Sequence, residues 1–191
     1  MMAKKKIKKG IKNTITPKAG VQNNIKPVTA CDMWISFDVS FVGLFNFIDT
    51  KNFTNKLADE KDFNEKFLSL IEFIQQIKRK NFYKELIRDN GMRHCHVLKG
   101  DKYTQTKQYV QMSLKGLVDN PEDTWNQLFG DEKLYQIGFE DALRCVGIYS
   151  DSTSTFHIIL FDWHHLIYPD ERRNRVNKRN LRYSLINKSF G

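Results

Sequence analysis

The chain has 191 residues, 40% of them hydrophobic, and a net charge of +9. This length supports one hydrophobic core with a small appendage. No apolar run approaches the roughly 20 residues of a membrane-spanning helix, so we expect no association with a membrane. The three cysteines are far apart in sequence, show no zinc-binding spacing and follow no secretory signal. We therefore expect a cytoplasmic protein that uses no metal or other cofactor.

The positive charge is concentrated at the two ends of the chain. Residues 1–30 hold eight lysines and no acidic residue, and residues 170–191 hold seven Lys or Arg side chains against two acids, which leaves −4 for residues 31–169. Residues 1–30 also have too few large apolar side chains to offset the entropy cost of ordering. We predict a disordered basic arm, a single folded domain over 31–169, and a basic tail or helix. The arm would bind nucleic acid, act as a solubilising tail, or dock on the folded body.

A strand and two helices are predicted in the first half of the domain. The apolar run Met33–Phe47 indicates a first strand with a bend or bulge at Gly43. Apolar side chains at spacings of three and four give the segment Lys61–Arg88 one hydrophobic face, which predicts a long helix. A second, short helix is predicted over Phe82–Arg88.

The two ends of the long helix carry recognisable residues. Asp62, with Glu65 three residues later, resembles a capping arrangement at its start. The basic cluster Lys78-Arg79-Lys80 lies near its end, where the helix dipole favours cations. This cluster is interpreted either as a phosphate contact or as a solvated helix end.

The middle of the chain is more polar. Alternation puts His94 and His96 on one face of a short strand. Residues 101–117 end in an alternating run and are predicted to form another strand or a lid. Asn120–Phe129 is predicted to be a short capped helix that ends at Gly130.

The stretch Leu134–Pro169 is predicted to organise the fold. It contains three apolar runs separated by turn residues, Leu134–Phe139, Leu143–Tyr149 and Phe156–Asp162, which indicate strands. The connections are too short for parallel crossovers, so these strands should pair antiparallel, and the last should be buried on both faces. The polar groups at the strand ends are Arg144, Asp162, His164, His165 and Tyr168. Rigid strands that deliver such groups together suit a functional site.

Three short motifs follow the same order of elements. Leu98-Lys-Gly-Asp101 is interpreted as part of the strand that follows the helices, Leu143–Gly147 forms the next strand, and the last strand ends in Asp162-Trp-His-His165. With these motifs the chain resembles the RelE/ParE superfamily of toxin–antitoxin modules, especially its HigB-like branch. The resemblance implies an α+β fold, in which a small antiparallel sheet packs against one long and one short N-terminal helix. Relative to that family the chain has an insertion at about 101–133, and the charge distribution adds flexible basic tails.

The resemblance further implies a toxin of a toxin–antitoxin or phage-defence module that cleaves messenger RNA without a metal. In such chemistry a base takes the proton of the ribose 2′-OH, a cation stabilises the phosphorane-like oxyanion, and an acid protonates the 5′-oxygen. Histidine suits the proton transfers and arginine the phosphate. The implied catalytic residues are His96, Arg144, His164, His165 and Tyr168. The resemblance implies that Lys99 helps to hold the phosphate. The further candidate RNA-binding residues are Lys78, Arg79, Lys80, Lys102, Arg172 and Arg173.

On this hypothesis the partners are RNA or the ribosome, together with a cognate antitoxin protein. A second hypothesis is a noncatalytic module that binds nucleic acid or protein through a RelE-like scaffold and its basic arms. A third is a metal-dependent nuclease that uses His94, His96 and Asp162. Adjacent histidines at a strand end are also often surface or capping residues, and Arg144 could simply pair with a nearby acid such as Asp162.

Overall fold

The fold is α+β, as predicted. The computed structural model describes residues 33–37, 44, 46–78, 80–87, 92, 94–138, 143–169 and 177–184. The elements in chain order are β1 (Trp34–Phe37), α1 (Glu60–Ile77), a π-helix (Phe82–Ile87), β2 (His96–Val97), α2 (Gly100–Leu114), α3 (Pro121–Leu128), β3 (Leu134–Gly138), β4 (Arg144–Ser150), β5 (Thr155–Asp162) and a 3-10 helix (Lys178–Asn180). The predictions for the arm 1–30 and for Gly43, Arg79, Arg172 and Arg173 lie outside the described residues.

The five strands form one mixed sheet with the order β1-β5-β4-β3-β2. The neighbours β2, β3, β4 and β5 pair antiparallel, as predicted for the last three strands. β1 lies at one edge and pairs parallel to β5. The prediction of a wholly antiparallel sheet is therefore wrong. The long stretch of sequence between β1 and β5 lets the chain return in the same direction, which a short connection does not allow.

The three C-terminal strands begin and end within one residue of their predicted bounds. β5 lies inside the sheet, and its residues from Ile158 to Asp162 are all buried, which confirms the prediction of a strand covered on both faces. The register between β4 and β5 shifts between Val146 and Gly147. A Cβ added at Gly147 would come 2.1 Å from the carbonyl oxygen of His157, so this approach of the two strands requires glycine.

The long helix α1 begins slightly earlier than predicted. Its N-cap is Asp59, whose side chain accepts a hydrogen bond of 2.8 Å from the backbone N–H of Asp62, and the Asp62 side chain in turn accepts one from Ala58. The residue that caps the helix is therefore Asp59, three residues before the predicted Asp62. The buried residues of the helix keep the predicted spacing of three and four, and they are Leu70, Phe73 and Ile77. The short helix predicted next is the π-helix.

Residues 101–117 were wrongly predicted as a strand or lid, because α2 occupies most of this segment. The buried residues of α2 recur at helical spacing, and they are Thr106, Tyr109, Val110, Ser113 and Leu114. Residues 101–115 contain no glycine or proline and hold three Lys and three Gln, which have good helix propensity. A run of six alternating residues is too short to distinguish the two periodicities.

The helix α3 confirms the prediction for its segment. The Asn120 side chain accepts hydrogen bonds from the backbone N–H groups of Glu122 and Asp123, and Pro121 occupies the first turn. Gly130 has φ +52°, a left-handed conformation that glycine adopts easily after a helix end.

Different elements cover the two faces of the sheet. On one face the Phe82 ring of the π-helix stacks on Tyr149, with ring centroids 3.8 Å apart. Because side chains alternate along β4, Arg144 lies on the opposite face, and its register neighbour Asp162 shares that face. There the helix α2 lies close by: its Lys102 lies over the ring of Tyr168, and that ring meets His96, whose register neighbours Gln136 and Val146 share the face of Arg144. The face that carries Arg144 is therefore the one under α2.

The described part of the basic C-terminal segment lies against the body. Tyr183 and Leu57 exchange backbone hydrogen bonds of 2.8 and 2.9 Å. The Lys178 Nζ donates to the carbonyl oxygens of Thr50 and Lys51, at 2.9 Å each. Residues 177–184 thus pack beside the segment that precedes α1.

Candidate functional site at the end of the sheet

One end of the sheet collects most of the predicted site residues. β3 and β5 end there, and β2 and β4 begin there, because these neighbours are antiparallel. The loop after β5 turns back toward β2. The ring of His165 lies 5.9 Å from that of His94, and the ring of Tyr168 lies 4.9 Å from that of His96, both edge to face. We call His94, His96, Lys102, His165 and Tyr168 the sheet-end cluster.

The buried carboxylate of Asp162 shapes the loop that carries His165 and Tyr168. Oδ1 accepts hydrogen bonds from the backbone N–H groups of His164 at 3.3 Å and Leu166 at 2.8 Å, and Oδ2 accepts one from Ile167 at 2.8 Å. Burial raises the pKa of Asp162 to about 6, against the opposing effect of these hydrogen bonds and of Arg144. Asp162 therefore holds the loop in place.

Arg144 lies beneath the cluster and is only 2% exposed. Its side chain crosses Gly138, where an added Cβ would come 2.2 Å from Cδ and 2.7 Å from Nε. Nη1 donates a hydrogen bond of 2.6 Å to the carbonyl oxygen of Leu143. The guanidinium reaches far enough toward β2 that its charge helps to lower the pKa of His96, after burial as the larger cause. In this position Arg144 does not reach the surface, where the prediction had it bind a phosphate.

The side chains of the adjacent residues His164 and His165 point to different parts of the structure. His164 is 7% exposed, and its Nε2 lies 2.7 Å from the carbonyl oxygen of Lys56. Because a carbonyl oxygen can only accept, Nε2 carries the proton and is the donor of this hydrogen bond. Burial is the main cause that lowers the pKa of His164. His165 has φ +57° and turns instead toward His94. The structure thus brings His165, but not His164, into the sheet-end cluster.

The cluster combines a neutral imidazole, a protonated phenol and an ammonium group. Burial and Arg144 lower the pKa of His96, whose buried Nε2 has no hydrogen-bond partner among the residues that the structure describes. Burial raises the pKa of Tyr168, which keeps its phenol protonated. The Nζ of Lys102 lies 5.3 Å from the centroid of the Tyr168 ring. Lys99, at the N-cap of α2, is exposed nearby in sequence.

The other predicted RNA-binding residues lie elsewhere or outside the described residues. The backbone carbonyl of Lys78 accepts a hydrogen bond from Met33, which directly precedes β1. Since β1 begins opposite the start of β5, this contact is at the far end of the sheet from Asp162. The Nζ of Lys80 lies 3.8 Å from Glu85 Oε1. Of the predicted lysines, Lys102 lies in the cluster and Lys99 directly precedes α2.

The sequence did not indicate two further residues of this region. Gln136 pairs in register with His96, is fully buried, and neither end of its amide has a hydrogen-bond partner within the described ranges. Gly138 provides the space in which Arg144 lies. A glutamine in the otherwise apolar run Leu134–Gly138 was the available signal, because a polar residue inside a buried strand usually has a role.

Metal ligands were proposed in the third sequence hypothesis. In the described part of the chain, no three His, Cys, Asp or Glu side chains are arranged as a ligand set. His94, His96 and Asp162, all within the described ranges, are therefore not arranged as such a set. Among the same residues, no helix combines the length and apolar character needed to cross a bilayer.

Fold and site together define an α+β protein with a mixed five-stranded sheet and a cluster of imidazole, phenol and ammonium groups at one sheet end. Residues 40–190 match the family described as "Uncharacterised protein UU032", and the chain belongs to that family. No match was found among curated proteins or among solved structures.

The resemblance to the RelE/ParE superfamily was wrong, because the family that the chain matches is a different one. The structure supplies a physical reason. The motif Leu98–Asp101, interpreted as part of a strand, contains instead the first two residues of α2. The edge strand β1 is also parallel to its neighbour, which the implied antiparallel sheet did not include. The antitoxin expected as a partner was based on the same resemblance.

Proposed function

We propose that the protein is an endoribonuclease that works without a metal ion and uses the sheet-end cluster as its site. The observation that carries this proposal is the convergence of three imidazoles, a phenol and an ammonium group from β2, the loop before it, α2 and the loop after β5. Imidazole and phenol transfer protons, and an ammonium group stabilises a phosphate. RNA offers both a 2′-OH to deprotonate and a phosphate to bind.

The proposed reaction needs a base, an acid and a cation. His165 takes the proton from the ribose 2′-OH as its oxygen attacks phosphorus. Lys102 stabilises the charge that develops on the phosphorane oxygens. Tyr168, whose pKa is raised by burial, gives its proton to the 5′-oxygen as the bond from phosphorus to that oxygen breaks. The products are a 2′,3′-cyclic phosphate and a 5′-OH.

The partly buried His96 and the buried Asp162 hold the proposed catalytic groups in position. His96 holds the Tyr168 ring edge to face, and its lowered pKa keeps it neutral beside the substrate. Asp162 fixes the backbone of the loop that carries His165 and Tyr168. Lys99 and the basic ends of the chain would add attraction for phosphates, so binding should weaken as salt rises.

The test is cleavage of an end-labelled RNA by the full chain in the presence of EDTA. We expect fragments that end in a 2′,3′-cyclic phosphate, and a loss of about 10²-fold or more in rate for His165→Ala. His157→Ala is the matched control, because His157 lies near the start of β5, at the opposite end of the sheet. Cleavage that needs a metal, or an unchanged rate for His165→Ala, would show that the proposal is wrong.

A second candidate is noncatalytic binding of RNA at the same site. The observation that favours it is the structural use of two predicted catalytic residues, Arg144 beneath the cluster and His164 on the Lys56 carbonyl. On this proposal RNA stays intact in the assay but binds with strong salt dependence. Lys99→Ala with Lys102→Ala would lower the affinity, while His165→Ala would leave it nearly unchanged.

A further inference from the structure

A groove lies at the end of the sheet opposite the sheet-end cluster. It consists of two adjoining cavities of about 520 and 500 Å³. The walls that both cavities share are formed by Phe129, Glu132, Tyr149 and Asp151. We call this combined depression the acidic groove.

Aromatic rings form one wall of the acidic groove. Tyr83 meets Tyr149 edge to face, with ring centroids 5.4 Å apart, and meets Tyr135 in the same way at 6.5 Å. The Tyr83 hydroxyl donates a hydrogen bond of 3.0 Å to Asp151, and this ring is 40% exposed. The electron-rich faces of such rings attract ammonium and guanidinium groups. The wall is therefore suited to a cationic side chain.

The charged residues at the groove favour the same kind of ligand. Asp131, Glu132 and Asp151 line it, and among the described lining residues Lys133 is the only Lys or Arg, with His157 as a further imidazole. None of the three acids belongs to an ion pair formed between residues that the structure describes. The groove is thus negative, whereas the whole chain carries a net charge of +9.

We propose that the lysine-rich segment of residues 1–30 of the same chain docks in the acidic groove. The position of β1 supports this assignment, because the Trp34 N–H donates a hydrogen bond of 2.9 Å to the carbonyl of Ser154. Ser154 closes the turn that begins at Asp151. The first residue of β1 therefore lies beside the turn that lines the groove.

The charge and the length of residues 1–30 both suit docking in the acidic groove. Residues 1–30 hold eight lysines and no acid, which complements the three carboxylates of the groove. Thirty residues can extend over roughly 100 Å, so the chain length does not limit docking. Because segment and groove belong to one molecule, their effective concentration is on the order of millimolar, which makes even weak contacts productive.

Docking would hold the same lysines away from RNA phosphates. RNA and the groove would then compete for residues 1–30, and RNA binding would be weaker than the charge of the chain suggests. This consequence rests on the proposed function, but the docking itself does not, and it is tested without RNA.

The first experiment is zero-length carbodiimide cross-linking of the full chain at low salt, with the linked peptides identified by mass spectrometry. We expect links from lysines of residues 1–30 to Asp131, Glu132 or Asp151. The exposed acids Asp119, Glu122 and Asp123 at the start of α3 are the matched control patch. Equal linking to both patches, or no linking to the groove, overturns the proposal. In an equal mixture of ¹⁴N and ¹⁵N chains, links within one chain never join light to heavy peptides; finding about half of the groove links light to heavy, as random linking between molecules gives, would likewise overturn it.

The second experiment measures how fast trypsin cleaves after the lysines of residues 1–30. We expect faster cleavage than in wild type for the groove variant Asp131→Asn, Glu132→Gln, Asp151→Asn. The control variant Asp119→Asn, Glu122→Gln, Asp123→Asn removes the same charge and should digest like wild type. Circular dichroism establishes that both variants are folded. Equal digestion rates in all three proteins would refute the docking.

Discussion

Gly138→Ala tests how Arg144 is accommodated beneath the sheet-end cluster. The new Cβ would lie 2.2 Å from Arg144 Cδ and 2.7 Å from Nε, so the arginine must move or β3 must shift. Inserting a methyl group into a packed interior costs about 1–3 kcal/mol, and leaving a buried polar group unpaired costs about as much again. Replacing glycine by alanine also lowers the conformational entropy of the unfolded chain, which offsets only about 0.4–1 kcal/mol of this loss of stability. We expect a net loss of about 2–4 kcal/mol.

Urea denaturation would measure this loss as a fall in the midpoint of roughly 1–2 M. The pH dependence makes the test specific. The pKa of Asp162 is already raised to about 6, and Arg144 is one of the groups that hold it down. Displacing Arg144 should raise this pKa further, and an acid with a raised native pKa loses stability as pH rises through that pKa. The variant should therefore be destabilised more at pH 8 than at pH 5.

Gly147→Ala is the steric control for Gly138→Ala. Its Cβ would meet the carbonyl oxygen of His157 at 2.1 Å and the Phe156 ring at 2.7 Å, and neither group titrates. It should destabilise the protein by a similar amount at both pH values. The reasoning fails if Gly138→Ala costs less than about 0.5 kcal/mol, within the usual range of surface substitutions. It also fails if its cost, like that of the control, does not change with pH.

Asp162→Asn should remove the fall in wild-type stability between about pH 4 and pH 6, a difference of roughly 3 kcal/mol that urea titrations across this range would detect. His164→Ala should lower stability by about 1–3 kcal/mol, because it leaves the Lys56 carbonyl without its donor, yet spare RNA cleavage per folded molecule. Asn120→Ala removes the cap of α3 and should cost about 1 kcal/mol in thermal unfolding, whereas exposed Gln127→Ala should cost almost nothing.

The sequence was most informative where one periodicity dominated. β3, β4 and β5 could be placed within a residue because Val, Ile, Leu and Phe fill them and turn residues separate them. α2 could not, because the short run Tyr109–Leu114 fits both the helical and the strand period. The parallel pairing of β1 depends on the path of the intervening chain, which no local pattern encodes.

In the candidate site, too, some features could be predicted from the sequence and others could not. The sequence placed His96, His165 and Tyr168 near one another, because strand order brings their elements to one end of the sheet. It could not separate His164 from His165, since the backbone conformation of His165, with φ +57°, turns the two rings apart. Nor could it show that Arg144 is buried, because the space it occupies depends on Gly138 of the neighbouring strand.

The two strands at the sheet margins have a consequence for how this protein behaves when concentrated. β1 has four residues and β2 only two, whereas the interior strands β4 and β5 have seven and eight. Long exposed margins let sheets of different molecules join and grow into fibrils, and natural proteins limit this by keeping marginal strands short. The apolar interior runs are therefore shielded from intermolecular pairing once folded. Newly made chains, in which β1 has yet to meet β5, should be the form most prone to self-association.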